Sequence, residues 1–70
     1  MEKIKIRVIA TKKGHKQIEE VFALVSIPVI NDRVKVENGS CIDYVLSILD
    51  KDLLENWMKD NNEIYQYLIQ

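Results

Sequence analysis

Residues 3–10 alternate with a period of two: Lys3, Lys5 and Arg7 fall on one face, and Ile4, Ile6, Val8 and Ala10 on the other. That period is the signature of a half-buried strand. Long basic side chains on the wet face also discourage pairing with other molecules. The pattern breaks at Thr11-Lys12-Lys13-Gly14-His15-Lys16, where Gly14 can adopt positive φ and a hairpin turn fits. Residues 17–27 carry two periods at once. Ile18, Val21, Phe22 and Val25 have helical spacing, while Val21, Phe22, Val25 and Ile27 are sheet-favouring types. A tight turn after a strong first strand favours the strand. Pro28 cannot donate to a ladder and ends it.

Asn31-Asp32 reads as a turn, and residues 33–37 alternate again, with Val34 and Val36 facing inward. Asn38-Gly39 tolerates the positive φ of a type I′ turn and predicts a hairpin. Residues 40–49 form the returning strand, with Ile42, Tyr44, Leu46 and Ile48 on one face. The period then changes. Asp52 and Glu55 have capping-box spacing, and Leu53, Leu54, Trp57 and Met58 share one helical face within residues 50–60. Asp60-Asn61-Asn62 is a break. In the tail, residues 63–69, a strand would set Tyr65, Tyr67 and Ile69 against Ile64, Gln66 and Leu68. A helix would stack Ile64 on Leu68 and Tyr65 on Ile69. The double Asn and the two tyrosines favour the strand.

The expected order is therefore four strands, a short helix and a last strand, within one domain spanning residues 1–70. A mainly β fold accommodates it: a small five-stranded barrel with one short helix before the last strand, whose closure removes exposed edges. The alternative is an α+β fold of four strands plus a C-terminal helix. The words Ile27-Pro28-Val29-Ile30-Asn31-Asp32-Arg33-Val34, the Asn38-Gly39 turn and Tyr44-Val45 resemble small SH3-like barrel proteins of bacteria and their mobile elements. The resemblance is confined to residues 27–45. It implies the barrel and a tendency to bind other macromolecules, and it brings no catalytic residue.

Composition narrows the picture. A chain of 70 residues buries only about 60% of the surface it exposes when unfolded. Disulfides, metals or association with other chains usually make up the shortfall. Cys41 is the single cysteine and His15 the single histidine, so neither an internal disulfide nor a zinc site of ordinary composition is available. No cofactor is expected. The net charge of −1 hides an asymmetry: residues 1–39 hold eight basic and five acidic side chains, residues 40–70 two and six. The N-terminus mixes charges with aliphatics, unlike a signal peptide, and no run approaches the roughly 18 apolar residues of a membrane span. A cytoplasmic, soluble protein is expected.

The candidate chemistry is thin. A general base needs an oriented partner, which His15 in an exposed turn lacks. No residue is placed in sequence to activate Cys41, and Ser26, Ser40 and Ser47 have no nucleophile-elbow context. Asp43, Asp50 and Asp52 do not have calcium-loop spacing, and two glycines cannot form a phosphate-cradling run. No enzyme and no small-molecule substrate is expected. Two surfaces remain. Trp57, Met58, Leu54 and Phe22 are candidate interface residues in a self-associating or partner-binding protein module. Lys12, Lys13, His15, Lys16, Lys5 and Arg7 are candidate contacts to an anion or nucleic acid through the first hairpin, although no aromatic side chain interleaves with them to stack on bases.

Overall fold

The computed structural model describes residues 2–22, 25–29 and 39–70. Six elements follow in order: β1 (Lys3–Thr11), α1 (Lys12–Phe22), β2 (Val25–Pro28), β3 (Gly39–Ser47), α2 (Ile48–Lys59) and β4 (Ile64–Ile69). The strands form one antiparallel sheet in the order β2-β3-β1-β4. Element order and strand order together are those of the split βαβ, or ferredoxin-like, plan. The described strands make an open sheet of four, not a closed barrel of five. The fold is α+β, and its last element is a strand, not a helix. The expected turn at Asn31-Asp32, the strand at 33–37 and the first half of the Asn38-Gly39 turn lie outside the described residues.

The alternation of β1 governs the packing. Ile6, Val8 and Ala10 are fully buried, and with Tyr44 and Leu46 of β3 they form the floor of the core. Ile18 of α1 and Leu54 and Met58 of α2 complete it from above, so both helices cover the same face of the sheet. Burying a large aliphatic side chain contributes about 1.5–3 kcal/mol, so this single layer of contacts dominates the stability. Arg7, Cys41, Asp43 and Val45 fall on the other face, which carries no helix among the described residues.

The hairpin expected after β1 is replaced by α1. Thr11 ends the strand and accepts the Gly14 N–H on its Oγ1 at 3.0 Å, satisfying one of the donors that a helix start leaves unpaired. The buried face of α1 is Gly14, His15 and Ile18, with Phe22 partly buried. Two of those four are not apolar aliphatic or aromatic types, which is why the helical stripe is faint in the sequence. Gly14 serves close approach, not a turn. A Cβ there would meet Glu63 Cβ at 3.0 Å, the Glu63 carbonyl oxygen at 3.2 Å and Ala10 Cβ at 3.3 Å. Of the strand expected over residues 17–27, residues 17–22 are helical and Val25–Pro28 is a strand that ends, as expected, at Pro28.

The returning strand stops at Ser47, two residues early. Ser47 has extended backbone and its hydroxyl accepts the Asp50 N–H at 3.2 Å, so it caps α2. The Asp52/Glu55 capping box is therefore not used. Both residues sit inside the helix, where Lys51 Nζ lies 3.3 Å from a carboxylate oxygen of each. Leu53, placed on the inner helical face by its spacing, is 54% exposed. At the far end Asn61 Oδ1 accepts the Glu63 N–H at 2.9 Å, and Asn61 Nδ2 donates to Gln17 Oε1 of α1 at 3.1 Å. The tail is the expected strand. Its register shifts between Ile9↔Gln66 and Ala10↔Ile64, so Tyr65 is the extra residue of a bulge. The bulge moves Ile64 to the helix face beside Tyr67 and Ile69.

Gly14→Ala gains about 1 kcal/mol of helix propensity, but it forces a methyl against backbone and Cβ atoms that cannot turn aside, at about 1–3 kcal/mol. The expected outcome is a net loss near 1 kcal/mol, read as a lower urea midpoint. A raised midpoint would show that α1 does not approach Glu63 this closely.

Candidate interaction surfaces

His15 is buried, with 4% of its surface exposed, and is not in an exposed turn. Its Nε2 lies 2.8 Å from the Ser40 carbonyl oxygen, which can only accept, so Nε2 carries the proton. Nδ1 lies 2.8 Å from the Tyr44 hydroxyl, whose O–H is the donor available to it. Both ring nitrogens are occupied, and the pair ties α1 to β3 across the core. Burial, with a smaller contribution from Glu19, pushes the Tyr44 phenol well above its usual range, so it stays protonated and donates.

On the open face Arg7 and Asp43 are direct cross-strand partners. Arg7 Nε donates to Asp43 Oδ1 at 2.9 Å and Arg7 Nη2 to Asp43 Oδ2 at 3.2 Å, the two-pronged geometry that suits a guanidinium. The hydrogen bond to Asp43 raises the Arg7 pKa further. Asp43 is almost fully buried although neither described helix covers it. Its neighbours in the register are Ile27 on β2 and, beyond Arg7, Leu68 on β4. Val25 pairs with Val45 one rung away, and Ile9 with Cys41 on the other side. An ion pair thus sits among Ile27, Val25, Ile9 and Leu68 on a sheet face that also carries Lys5 and Lys3. Burial, and less strongly Asp43, push the Cys41 thiol up, against the pull of Arg7. This thiol is held in its neutral form, the opposite of an activated nucleophile. A small depression of about 240 Å³ is lined by Arg7, Ile9, Gln66, Tyr67 and Leu68.

Of the candidate interface residues, Leu54 and Met58 are consumed by the core. Phe22 and Trp57 are partly buried and meet edge to face, with ring centroids 6.4 Å apart. Trp57 also borders a shallow cleft of about 480 Å³ with Gln17, Asn56, Asp60, Asn61, Asn62 and Glu63. The apolar surplus of residues 22–27 and 45–49 calls for a second covering surface, and Val25, Ile27, Ile48 and Leu49 within it do reach solvent, as do Val21, Leu53, Tyr65, Leu68 and Ile69 outside it. Val25, Ile27 and Leu68 are on the open face, Tyr65 and Ile69 on β4, and Ile48, Leu49 and Leu53 on α2. Leu68 reaches the open face because the β1–β4 register sets it opposite Arg7, a pairing no local pattern reveals.

Among the candidate anion contacts, His15 and Arg7 are engaged within the fold. Lys12, Lys13 and Lys16 are exposed on α1, and Lys5 is exposed on the open face. The structure therefore divides the six residues among the core, an ion pair and two separate elements. Among the described residues, no group of three or more His, Cys, Asp or Glu side chains is placed to hold a metal ion, and no helix is long and apolar enough to cross a membrane. No family model, curated protein or solved structure matches the chain.

Tyr44→Phe deletes one hydroxyl from the core and leaves His15 Nδ1 buried without a donor. The expected loss is about 1–3 kcal/mol, measured by urea unfolding with the far-ultraviolet spectrum of the folded protein unchanged. An unchanged midpoint would contradict the assigned network.

Proposed function

We propose that the protein is a non-catalytic protein-interaction module that associates with further copies of itself. The carrying observation is the face of the sheet that neither described helix covers. Both helices lie on the opposite side, yet Val25 and Leu68, each 57% exposed, and Ile27, 46% exposed, stand around the Arg7–Asp43 pair. Large apolar side chains exposed on one sheet face of a small domain support a place where another molecule sits. Arg7 and Asp43 neutralise each other among these side chains, and Lys5 and Lys3 follow on the same face of β1, where their long side chains keep their charges in water.

The residues with the most reactive chemistry support a binding role. His15 has both nitrogens committed to structural hydrogen bonds, and the Cys41 thiol is shifted away from the thiolate. A free thiol also suits a reducing cytoplasmic setting. The alternative reading, a nucleic-acid binder, retains Lys5, Lys12, Lys13 and Lys16 as its exposed cations and has no aromatic partner among them. Binding to DNA or RNA that weakens with salt is the outcome that would favour it.

Light scattering at increasing protein concentration is the test. The apparent mass should rise from that of the 8.2 kDa chain toward an integral multiple of it. A mass that stays at one chain across the micromolar to millimolar range would contradict self-association.

A further inference from the structure

The two edges of the sheet are not alike. β2 is four residues long and ends in Pro28, which has no N–H to offer a new strand. β4 is six residues long, Ile-Tyr-Gln-Tyr-Leu-Ile, with no charge, no proline and no glycine. Natural edges are usually blunted by charge, proline or shortness. In the described structure β4 has β1 as its only neighbour. Its bulge at Tyr65 leaves the second half of the strand regular.

The outward backbone groups can be assigned. The Gln70 N–H donates to the Lys5 carbonyl at 2.9 Å, so Gln70 points its backbone at β1. Hydrogen-bonding direction alternates along an antiparallel ladder. Leu68 and Gln66, opposite Arg7 and Ile9, therefore also point inward, and Tyr67 and Ile69 present their N–H and C=O groups to the outside.

We propose that β4 is the self-association interface: two copies pair their β4 strands antiparallel about a two-fold axis at Leu68, joining two four-stranded sheets into one of eight. This rests on the self-association reading alone: it places the contact between copies at the β4 edge and leaves the open face uncovered. In that register Tyr67 pairs with Ile69 of the second copy and the reverse, which satisfies the four outward backbone groups on each strand. Leu68 meets its own counterpart at the axis on the open face. The occupant is a second copy because β4 carries no charge at any position, so in the antiparallel register about Leu68 no facing pair sets like charges against each other, and a net charge of −1 per chain leaves little long-range repulsion between copies. Pairing also supplies apolar cover to a chain too short to bury much surface alone. The joined sheet aligns the two Arg7–Asp43 faces into one wide surface.

The test uses the full chain with Cys41→Ser, so that an introduced cysteine is the only thiol. At the axis the two Leu68 positions form a pair without mutual backbone hydrogen bonds, about 4.5 Å apart at Cα, inside the range of about 4.4–6.8 Å that a disulfide spans. Position 66 lies four residues from its symmetry mate, about 13 Å along the strand. Leu68→Cys is therefore expected to form a covalent dimer under mild oxidation, and Gln66→Cys is not. Separately, Leu68→Lys sets two lysines face to face and should lower the association constant at least tenfold, with the far-ultraviolet spectrum confirming the fold. If the unaltered chain associates but Gln66→Cys links as readily as Leu68→Cys, or Leu68→Lys associates normally, edge pairing is overturned and self-association stands. If the unaltered chain is monomeric at every concentration, both readings fail.

Discussion

One strand dictates the architecture. β1 alternates so strictly that its apolar side must be covered, and its central place in the sheet makes that side the floor of the whole core. Ile6, Val8 and Ala10 are fully buried, and both helices pack above them. The same alternation puts Lys3, Lys5 and Arg7 on the opposite side, where a covering helix would bury them. The sheet is thus two-faced by construction. Two helices go to one side, and the other side is left to whatever can tolerate or neutralise its cations. Asp43, placed opposite Arg7 by the β1–β3 register, is the device that neutralises one of them.

The first helix is secured by fit and by hydrogen bonding more than by an apolar stripe. Gly14 lets its N-terminal turn approach the start of β4, and Thr11 caps that turn. His15 then reaches across to Tyr44 and to the Ser40 carbonyl. Each hydrogen bond contributes about 1 kcal/mol net, less than the burial of Ile18. Yet leaving any member of the network unpaired costs more than forming it gains. Such networks specify a single packing arrangement, and this one fixes how α1 lies on β3. α2 needs less of this, because Leu54 and Met58 are a conventional apolar face and Ser47 closes its start.

The strands were far more legible than the first helix. A period of two in residues 3–10 and in residues 40–47 is unambiguous, because each has a charged or polar face opposite an aliphatic one. α1 was obscured because its inward residues include a glycine and a histidine, types that read as turn punctuation and surface chemistry. In the sequence Gly14 reads as backbone freedom, whereas its role is to be small, a distinction visible only once Glu63 and Ala10 are beside it. The same misreading put His15 on the surface. Capping was half legible: Asp52/Glu55 has the right spacing, but a serine two residues before the expected strand end starts the helix earlier. The open-face cluster of Val25, Ile27 and Leu68 combines three strands. No local pattern could assemble it without the register and the bulge at Tyr65.

The central claim is that β4 is an edge in the single chain and an inner strand in the working form. Backbone amide hydrogen exchange addresses it directly, because neighbouring amides on one strand should behave oppositely. Leu68 and Gln70 donate toward β1 and should be protected at every concentration, whereas Tyr67 and Ile69 point away. Hydrogen exchange followed by nuclear magnetic resonance in dilute and concentrated samples should show protection of the Tyr67 and Ile69 amides rising with concentration. Protection at those two amides that does not change with concentration would contradict the account.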